Sequence, residues 1–479
     1  MKSLALLCLS SSLLAVTTAS AEDFGAGRDI ALAENAAGLF GVAGPLAAST
    51  EPSVETGYRV ADQSAGDQLL LASGLSAEYV TRAAGNHLDM MVFWPAENPT
   101  HMVACIEGKR EEIAAGKFNP AIQSIDLANG EVRTLVRGMD RCDGIRTTAW
   151  GTILATEETD DGAAWEIIDP LGLDNAVISD REGGIASDPA RLVRRPKLPV
   201  MAWEGLTVTP EGVVIGGDEL RPGTAAADVD GGAMFKFVPA VAHGGGAIES
   251  LDQSPLADGR SYAMQVSCVK GKVQAGQGCE VGNALWVEID PTNARADADA
   301  KGATGFYRPE DLHADPTFAG EGVRFCWTNT GNEGAGHYGE VLCAIDREPM
   351  ATPQPDAEGK LAMTVKVNRF IEGDPELNSV DNLDFQPVTG ILYVVEDHEN
   401  GDVWACLPDG WDRDLKSDGC VRVLSVKDSS AEPTGFIFAP DGRTAYVSIQ
   451  HSDDTNMPMV DDYATDDLIR ITGFQAVAN

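Results

Sequence analysis

Residues 433–450 read PTGFIFAPDGRTAYVSIQ. Apolar side chains alternate up to Phe438, the chain meets Pro440-Asp441-Gly442, and alternation resumes from Ala445 to Ile449. Alternation gives each run one buried face and the Asp-Gly turn reverses the chain, so the stretch predicts a β-hairpin. The pattern recurs upstream as DGIRTTAWGTILATEE at 143–158, EGLTVTPEGVVIGGDE at 204–219, PEDLHADPTFAGEGVRFCWTNT at 309–330 and DNLDFQPVTGILYVVED at 381–397. A weaker copy, LDMMVFWPAENPTHMVACIEG, occupies 88–108. Most copies open on a polar or acidic residue and close on an acidic one. Further strand-like runs follow, such as AIQSIDLANGEVRTLV at 121–136 and DDLIRITGF at 466–474. Hairpin plus hairpin makes a four-stranded blade, and six copies predict an all-β fold, a six-bladed β-propeller with a central channel, built as one domain over 66–479. The long gap between the 204 and 309 copies reads as an elaborated blade. The helical crossovers that a parallel sheet would require are not found.

Ahead of the repeats, Met1-Lys2, an apolar run from Leu4 to Val16 and Ala19-Ser20-Ala21 predict a secretory signal over 1–21. Residues 22–65, rich in Ala and Gly, read as an irregular or partly helical lead-in. No other run approaches the ~20 apolar residues of a membrane span, so no membrane anchor is expected and the protein is placed in the periplasm or outside the cell. Asp and Glu number 74 against 35 Lys and Arg, a net charge of -39, which excludes nucleic acid as a partner. Eight cysteines follow the leader. Cys268 with Cys279, Cys326 with Cys343, and Cys406 with Cys420 would each close a short loop, and parity then favours joining Cys105 to Cys142.

In a propeller the innermost strand of each blade faces the channel, so a carboxylate at one phase of each repeat meets its counterparts on the axis. The candidates are Glu107, Asp143, Glu157, Glu158, Glu204, Asp218, Glu219, Glu310, Asp311, Asp381, Asn382, Glu396, Asp397 and Glu432. Crowded carboxylates raise one another's pKa unless cations neutralise them, and an oxygen-rich set favours Ca²⁺ or Mg²⁺, with Mn²⁺ or iron also accommodated. His87, His313, His398 and His451 sit near repeat ends, and Arg308 precedes Pro309-Glu310, well placed to grip a phosphate through paired N–H donors. Gly-rich phosphate loop, nucleophile elbow and zinc helix are all missing, so a hydrolase here is expected to use metal-bound water or oxide.

The stretches CDGIRTTAWGTILATEE at 142–158, WEGLTV at 203–208, YRPEDLHADP at 307–316, WTNTGN at 327–332, DNLDFQP at 381–387, EDHENGDVWAC at 396–406 and PTGFIFAPDGRTAYVSIQH at 433–451 resemble the PhoX-type alkaline phosphatases, secreted bacterial propellers. The resemblance implies hydrolysis of a small phosphomonoester at a site holding calcium and ferric iron. It makes Cys142, Glu204 and Glu310 candidate iron ligands, Glu157 and Glu158 candidate calcium ligands, and Arg308 a phosphate contact, with Arg308 and Glu310 as the catalytic pair. Glu107, Asp381 and Glu396 complete the expected metal set. The sequence departs from the family pattern in a leader without an Arg pair, in Ala149 where the family has proline, and in Trp203 where it has a basic residue. A disulfide at Cys142 would leave a calcium-dependent relative without thiolate-bound iron. A calcium propeller acting on lactones or phosphodiesters, and a non-catalytic calcium-binding propeller, stay open as alternatives.

Overall fold

The computed structural model of the chain describes residues 24–46, 59–223, 230–266, 280–410, 417–452 and 456–476. The expected signal over 1–21 and the Cys268–Cys279 pairing lie outside these residues. The hairpin over 433–450 forms as read: Glu432–Phe438 pairs antiparallel with Thr444–Gln450. At its turn Asp441 accepts the backbone N–H groups of Arg443 and Thr444, and Gly442 takes φ +64°, where a Cβ would be strained. The other copies give the same antiparallel hairpin, opened by Leu88–Trp94, Cys142–Thr147, Trp203–Val208, Pro309–Ala314 and Val380–Phe385. These opening strands pack side by side in chain order, and Glu432–Phe438 packs on Leu88–Trp94 to close the ring.

The chain is all-β in a propeller-like arrangement. Four sheets stand as separate blades, each with one ring strand at its inner edge, and a 10-stranded sheet carries the other two ring strands, Trp203–Val208 and Pro309–Ala314. Separate blades are the expectation from the repeats. The difference arises where Gly282–Ala284 of the outer strand Gly282–Ile289 pairs with Val365–Val367, so that one blade's edge satisfies the backbone groups of the next. Hydrophobic clusters fill the wedges between neighbouring blades, for example Val103, Ile122, Ile145 and Trp165 in one and Leu154, Trp203, Leu206 and Phe235 in the next.

The N-terminal chain closes the molecule. Ser76–Gly85 forms the outer strand beside Thr465–Thr472, so residues from both ends share one blade. Fully buried Arg59 holds this seam through Thr465 and Asp467, joined by Arg82 on Asp467. In the lead-in, helices span Phe24–Glu34 and Ala36–Leu39. Leu32, Phe40 and Val42 are drawn from solvent against Tyr393, Phe436, Phe438 and Phe474, and this burial gives the segment its order. Among the described residues no helix is long and apolar enough to cross a membrane.

Disulfides join Cys326 to Cys343 and Cys406 to Cys420 across neighbouring strands, and Cys105 to Cys142 between the first two blades.

Candidate metal centre and anion site

A bulge sits at one place in five of the ring strands. Residues 89–90, 143–144, 204–205, 310–311 and 381–382 each oppose a single partner residue. Such a bulge bends the strand and re-aims its side chains, and its first residue is always acidic: Asp89, Asp143, Glu204, Glu310, Asp381. Two residues before four of these acids the backbone turns left-handed, at His87, Arg141, Arg308 and Ser379. Non-glycine residues adopt that conformation rarely, and often at functional sites. Glycine after the acid lets adjacent strands close in: a Cβ on Gly144 would lie 2.0 Å from the Glu204 carbonyl oxygen, and one on Gly205 2.1 Å from the Leu312 nitrogen.

The bulge acids converge. Glu204, Glu310 and Asp381 each offer a carboxylate oxygen within 4.8 Å of the others. Glu310 accepts the Thr330 hydroxyl, yet its Oε2 is buried without a hydrogen-bond partner, as are Oδ1 of Asp143 and Oδ1 of Asp381. Asp89 accepts Thr434 Oγ1 at 2.6 Å and Gln450 Nε2 at 2.9 Å. Burial, then the charge of Glu107, pushes the Asp89 carboxyl up to about 7. Glu310 also reaches about 7, because burial and Glu219 outweigh the opposing pull of Arg308. Asp143, Glu158, Glu204, Asp381 and Glu432 stand well above the ordinary range, from burial first and neighbouring carboxylates next.

Residues just past the second strand of each hairpin add a further layer. Arg141 bridges Glu107 and Glu158. Arg308 Nε lies 2.5 Å from Glu219 and 3.2 Å from Glu310, and its Nη2 lies 3.6 Å from Asp397. Burial works against the Arg308 charge, but Glu310, Glu219 and Asp397 outweigh it and keep the guanidinium protonated. Two arginines do not balance this many acids. Buried, unpartnered oxygens on Glu310 and Asp381, which share one ion's reach with Glu204, fit a hard, oxygen-seeking cation such as calcium, for which Glu204, Glu310 and Asp381 are the nearest ligands.

Other expected residues stand apart. Glu157 turns into its blade, where it accepts the backbone N–H groups of Asp140 and Ala163 and pairs with Arg181 at 2.8 Å. Glu396 does the same with Asn378, Asp402 and the Trp404 indole, and Asp218 with Ala202 and Arg295. Strand alternation explains the split: of each terminal acidic pair the first side chain caps backbone within the blade, and the second (Glu158, Asp397, Glu219) faces the channel. Cys142 is corrected as an iron ligand, since its sulfur is bonded to Cys105 and offers no thiolate. Asp311 points the other way along the axis, to Arg146, His313 and the Leu383 backbone. Asp89 and Arg141 are absent from the sequence candidates. The signal for Asp89 was an acid following an apolar residue at the start of a repeat, as in Leu88-Asp89, Cys142-Asp143 and Trp203-Glu204.

A cleft of about 730 Å³, lined by residues including Thr207, Pro210, Val323 and Met350, lies elsewhere and contains none of these acids. The channel cluster is the chemically distinctive place.

Residues 224–453 match the family model described as Alkaline phosphatase PhoX. Among solved structures, Pseudomonas fluorescens PhoX in complex with vanadate, a transition state analogue, is 15% identical with a TM-score of 0.57, the alignment covering 90% of this chain and 99% of that one. A gluconolactonase from Xanthomonas campestris is 11% identical with a TM-score of 0.39, covering 88% of this chain and 99% of that one. No curated protein gives a significant match.

Proposed function

We propose that the chain is a member of the PhoX alkaline phosphatases, whose family model matches residues 224–453, and that it is an exported, calcium-dependent phosphomonoesterase working on the channel axis. The observation that carries this reading is the contact between Arg308 and Glu310. A guanidinium lies 3.2 Å from a carboxylate whose free oxygen is buried and which shares one ion's reach with Glu204 and Asp381. A phosphate monoester needs both parts, donors for its oxygens and positive charge against its own charge.

In this reading Glu204, Glu310 and Asp381 hold the cation, with Asp143 beside them. Bound there, calcium supplies charge neutralisation and Lewis acidity to a phosphoryl group. Arg308 donates N–H groups to the phosphate oxygens as they gain charge in the transition state. Glu219 and Asp397 orient that guanidinium, and Glu310 couples its position to the cation's. Arg141 offsets Glu107 and Glu158 and keeps the channel mouth from repelling an anionic substrate outright. Glu157, Glu396 and the Cys105–Cys142 disulfide hold the blades that aim these groups. Iron is not part of the proposal, because the thiolate it would use is bonded.

The full fold is proposed as six blades. Six ring strands support this count, as do six hydrophobic clusters, one at each contact between successive ring members. Export is supported by the disulfides, which persist in oxidising compartments. The test is turnover of p-nitrophenyl phosphate by protein purified without chelator, then after chelation, then after calcium return. Activity should vanish and come back. No turnover under any metal regime refutes the phosphatase assignment.

A further inference from the structure

We propose that His87, Glu107 and His451 form a second metal site, at the seam between the last and first blades, which takes one borderline transition-metal ion such as Zn²⁺. Each of the three offers a ligand atom within 4.8 Å of the others, and none belongs to the oxygen-only trio of Glu204, Glu310 and Asp381. His87 immediately precedes the strand Leu88–Trp94, Glu107 follows the strand His101–Ile106, and His451 follows Thr444–Gln450. The site therefore assembles only when the ring closes.

The placement of both imidazoles is held by the backbone. His87 and His451 take φ +66° and +64°, and the His87 N–H donates to Asp466 at 2.6 Å. Their rings meet edge to face, with centroids 4.7 Å apart and planes at 78°. The other histidines near the axis are answered by carboxylates: His313 lies between Asp311 and Asp384, and His398 lies on Glu396. The half-buried His87 ring makes no hydrogen bond among the described residues, and its neighbours are a second imidazole and Glu107. An ordinary ion pair does not account for it, because Glu107 is already engaged by Arg141. A cation shared by the two rings and Glu107 does. His451 Nε2 also lies 3.1 Å from Glu432, a carboxylate able to orient that ring or to serve as a fourth ligand.

Donor chemistry separates this site from the central one. Calcium takes six to eight oxygens, whereas two imidazole nitrogens with a carboxylate suit Zn²⁺ and its first-row neighbours. The chain would then carry a hard and a borderline ion in one channel, each selected by its own ligands.

The test uses the full chain saturated with Ca²⁺ and titrated with Co²⁺, a spectroscopic stand-in for Zn²⁺. Expected are a single tight equivalent of Co²⁺, imidazole nitrogen in its X-ray absorption signature, and displacement by Zn²⁺ but not by more Ca²⁺. His87→Asn and His451→Asn, which keep a residue tolerant of the left-handed backbone, should each weaken Co²⁺ binding at least about tenfold while calcium content stays unchanged. Glu310→Gln should leave Co²⁺ binding intact, which keeps this result distinct from failure of the phosphatase reading. Absence of tight Co²⁺, a bound Co²⁺ without nitrogen ligands, displacement by Ca²⁺, or unchanged affinity in both histidine variants overturns the proposal. The nitrogen signature is read on the unmodified protein, so it decides the matter even if a variant misfolds.

Discussion

Stripping divalent cations from the channel should make the protein lose stability as pH rises from 5 to 8, and calcium should restore it. Asp89 moves from 3.8 to about 7 in the fold and Glu310 from 4.5 to about 7. Between those values the folded chain keeps a proton that the unfolded chain has released. Folding then binds more protons than unfolding, so stability is greatest below the unfolded values and falls as pH climbs through the folded ones. At about 1.4 kcal/mol for each pH unit, the stretch from pH 5 to the folded value of about 7 costs about 3 kcal/mol for each acid. The two acids share a crowded set of neighbours, so their losses do not simply add, and about 4 kcal/mol is the working figure. For a domain of about 400 residues that amounts to a fall of about 5 °C in melting temperature. Acids whose pKa is lowered, such as Asp311 and Asp467, act in the opposite direction but have finished titrating below pH 5, whereas Asp466, raised to about 7, and His398, raised to about 9, add to the fall with or without calcium. The assay is thermal melting followed by circular dichroism from pH 5 to 8, in chelator and in calcium. A chelated melting temperature that stays flat or rises across this range refutes the buried-acid argument. A slope that calcium leaves unchanged refutes the cation assignment.

Replacing Arg308 with alanine should raise the inhibition constant of inorganic phosphate about 10- to 100-fold, the loss expected for a charge-assisted hydrogen bond, and an unchanged constant would remove Arg308 from the phosphate site. Glu157→Gln should destabilise by about 1.5–3 kcal/mol, because it removes the charge at the centre of the Arg181 contacts while Asp161 and Asp140 keep theirs, and calcium binding measured by calorimetry stays near normal; Glu158→Gln should show the reverse balance. The Cys105→Ser, Cys142→Ser pair opens a covalent link across 37 residues of sequence and should cost about 4 kcal/mol by loop entropy, read as a lower melting temperature under non-reducing conditions. Arg59→Leu removes a buried guanidinium from Thr465 and Asp467 while Arg82 and Gln68 still hold Asp467, and should cost about 1.5–3 kcal/mol, seen first as hydrogen exchange in Ser76–Gly85 and Thr465–Thr472.

The hairpins were legible because alternation and turn residues act locally. Leu392–Glu396 and Thr444–Gln450 declare their buried faces within a few residues of sequence, and the Asp441-Gly442 turn is chemically specified. The joined 10-stranded sheet was not legible, since the pairing of Gly282–Ala284 with Val365–Val367 links segments some eighty residues apart by backbone groups that any side chain can supply. The lead-in helices were only half legible. Phe24–Glu34 has weak periodicity of its own and is stabilised by burying Leu32 beside Tyr393 and its aromatic neighbours. At the site, recurrence of acids marked the right positions but not their direction. Glu157 and Glu158 are adjacent, and strand phase alone gives one to the blade and the other to the channel.

That phase rule explains why so acidic a chain tolerates a carboxylate cluster on its axis. Glu157, Asp218 and Glu396 saturate themselves on backbone N–H groups and local cations, so their charge is used to fix the ends of the hairpins. The next residue in each pair, and the acid at the bulge opposite, are then held by frameworks that are already satisfied. Relaxing away from one another would break those caps, which leaves binding a cation as the remaining way to offset the crowding. A ring strand without the bulge would return to plain alternation and turn its acid out of the cluster. Deleting one residue at the bulge, Gly205 for instance, should therefore abolish calcium binding while hairpin pairing beyond Leu206 persists. Retention of calcium in that deletion would show that the bulges are not what aims the ligands.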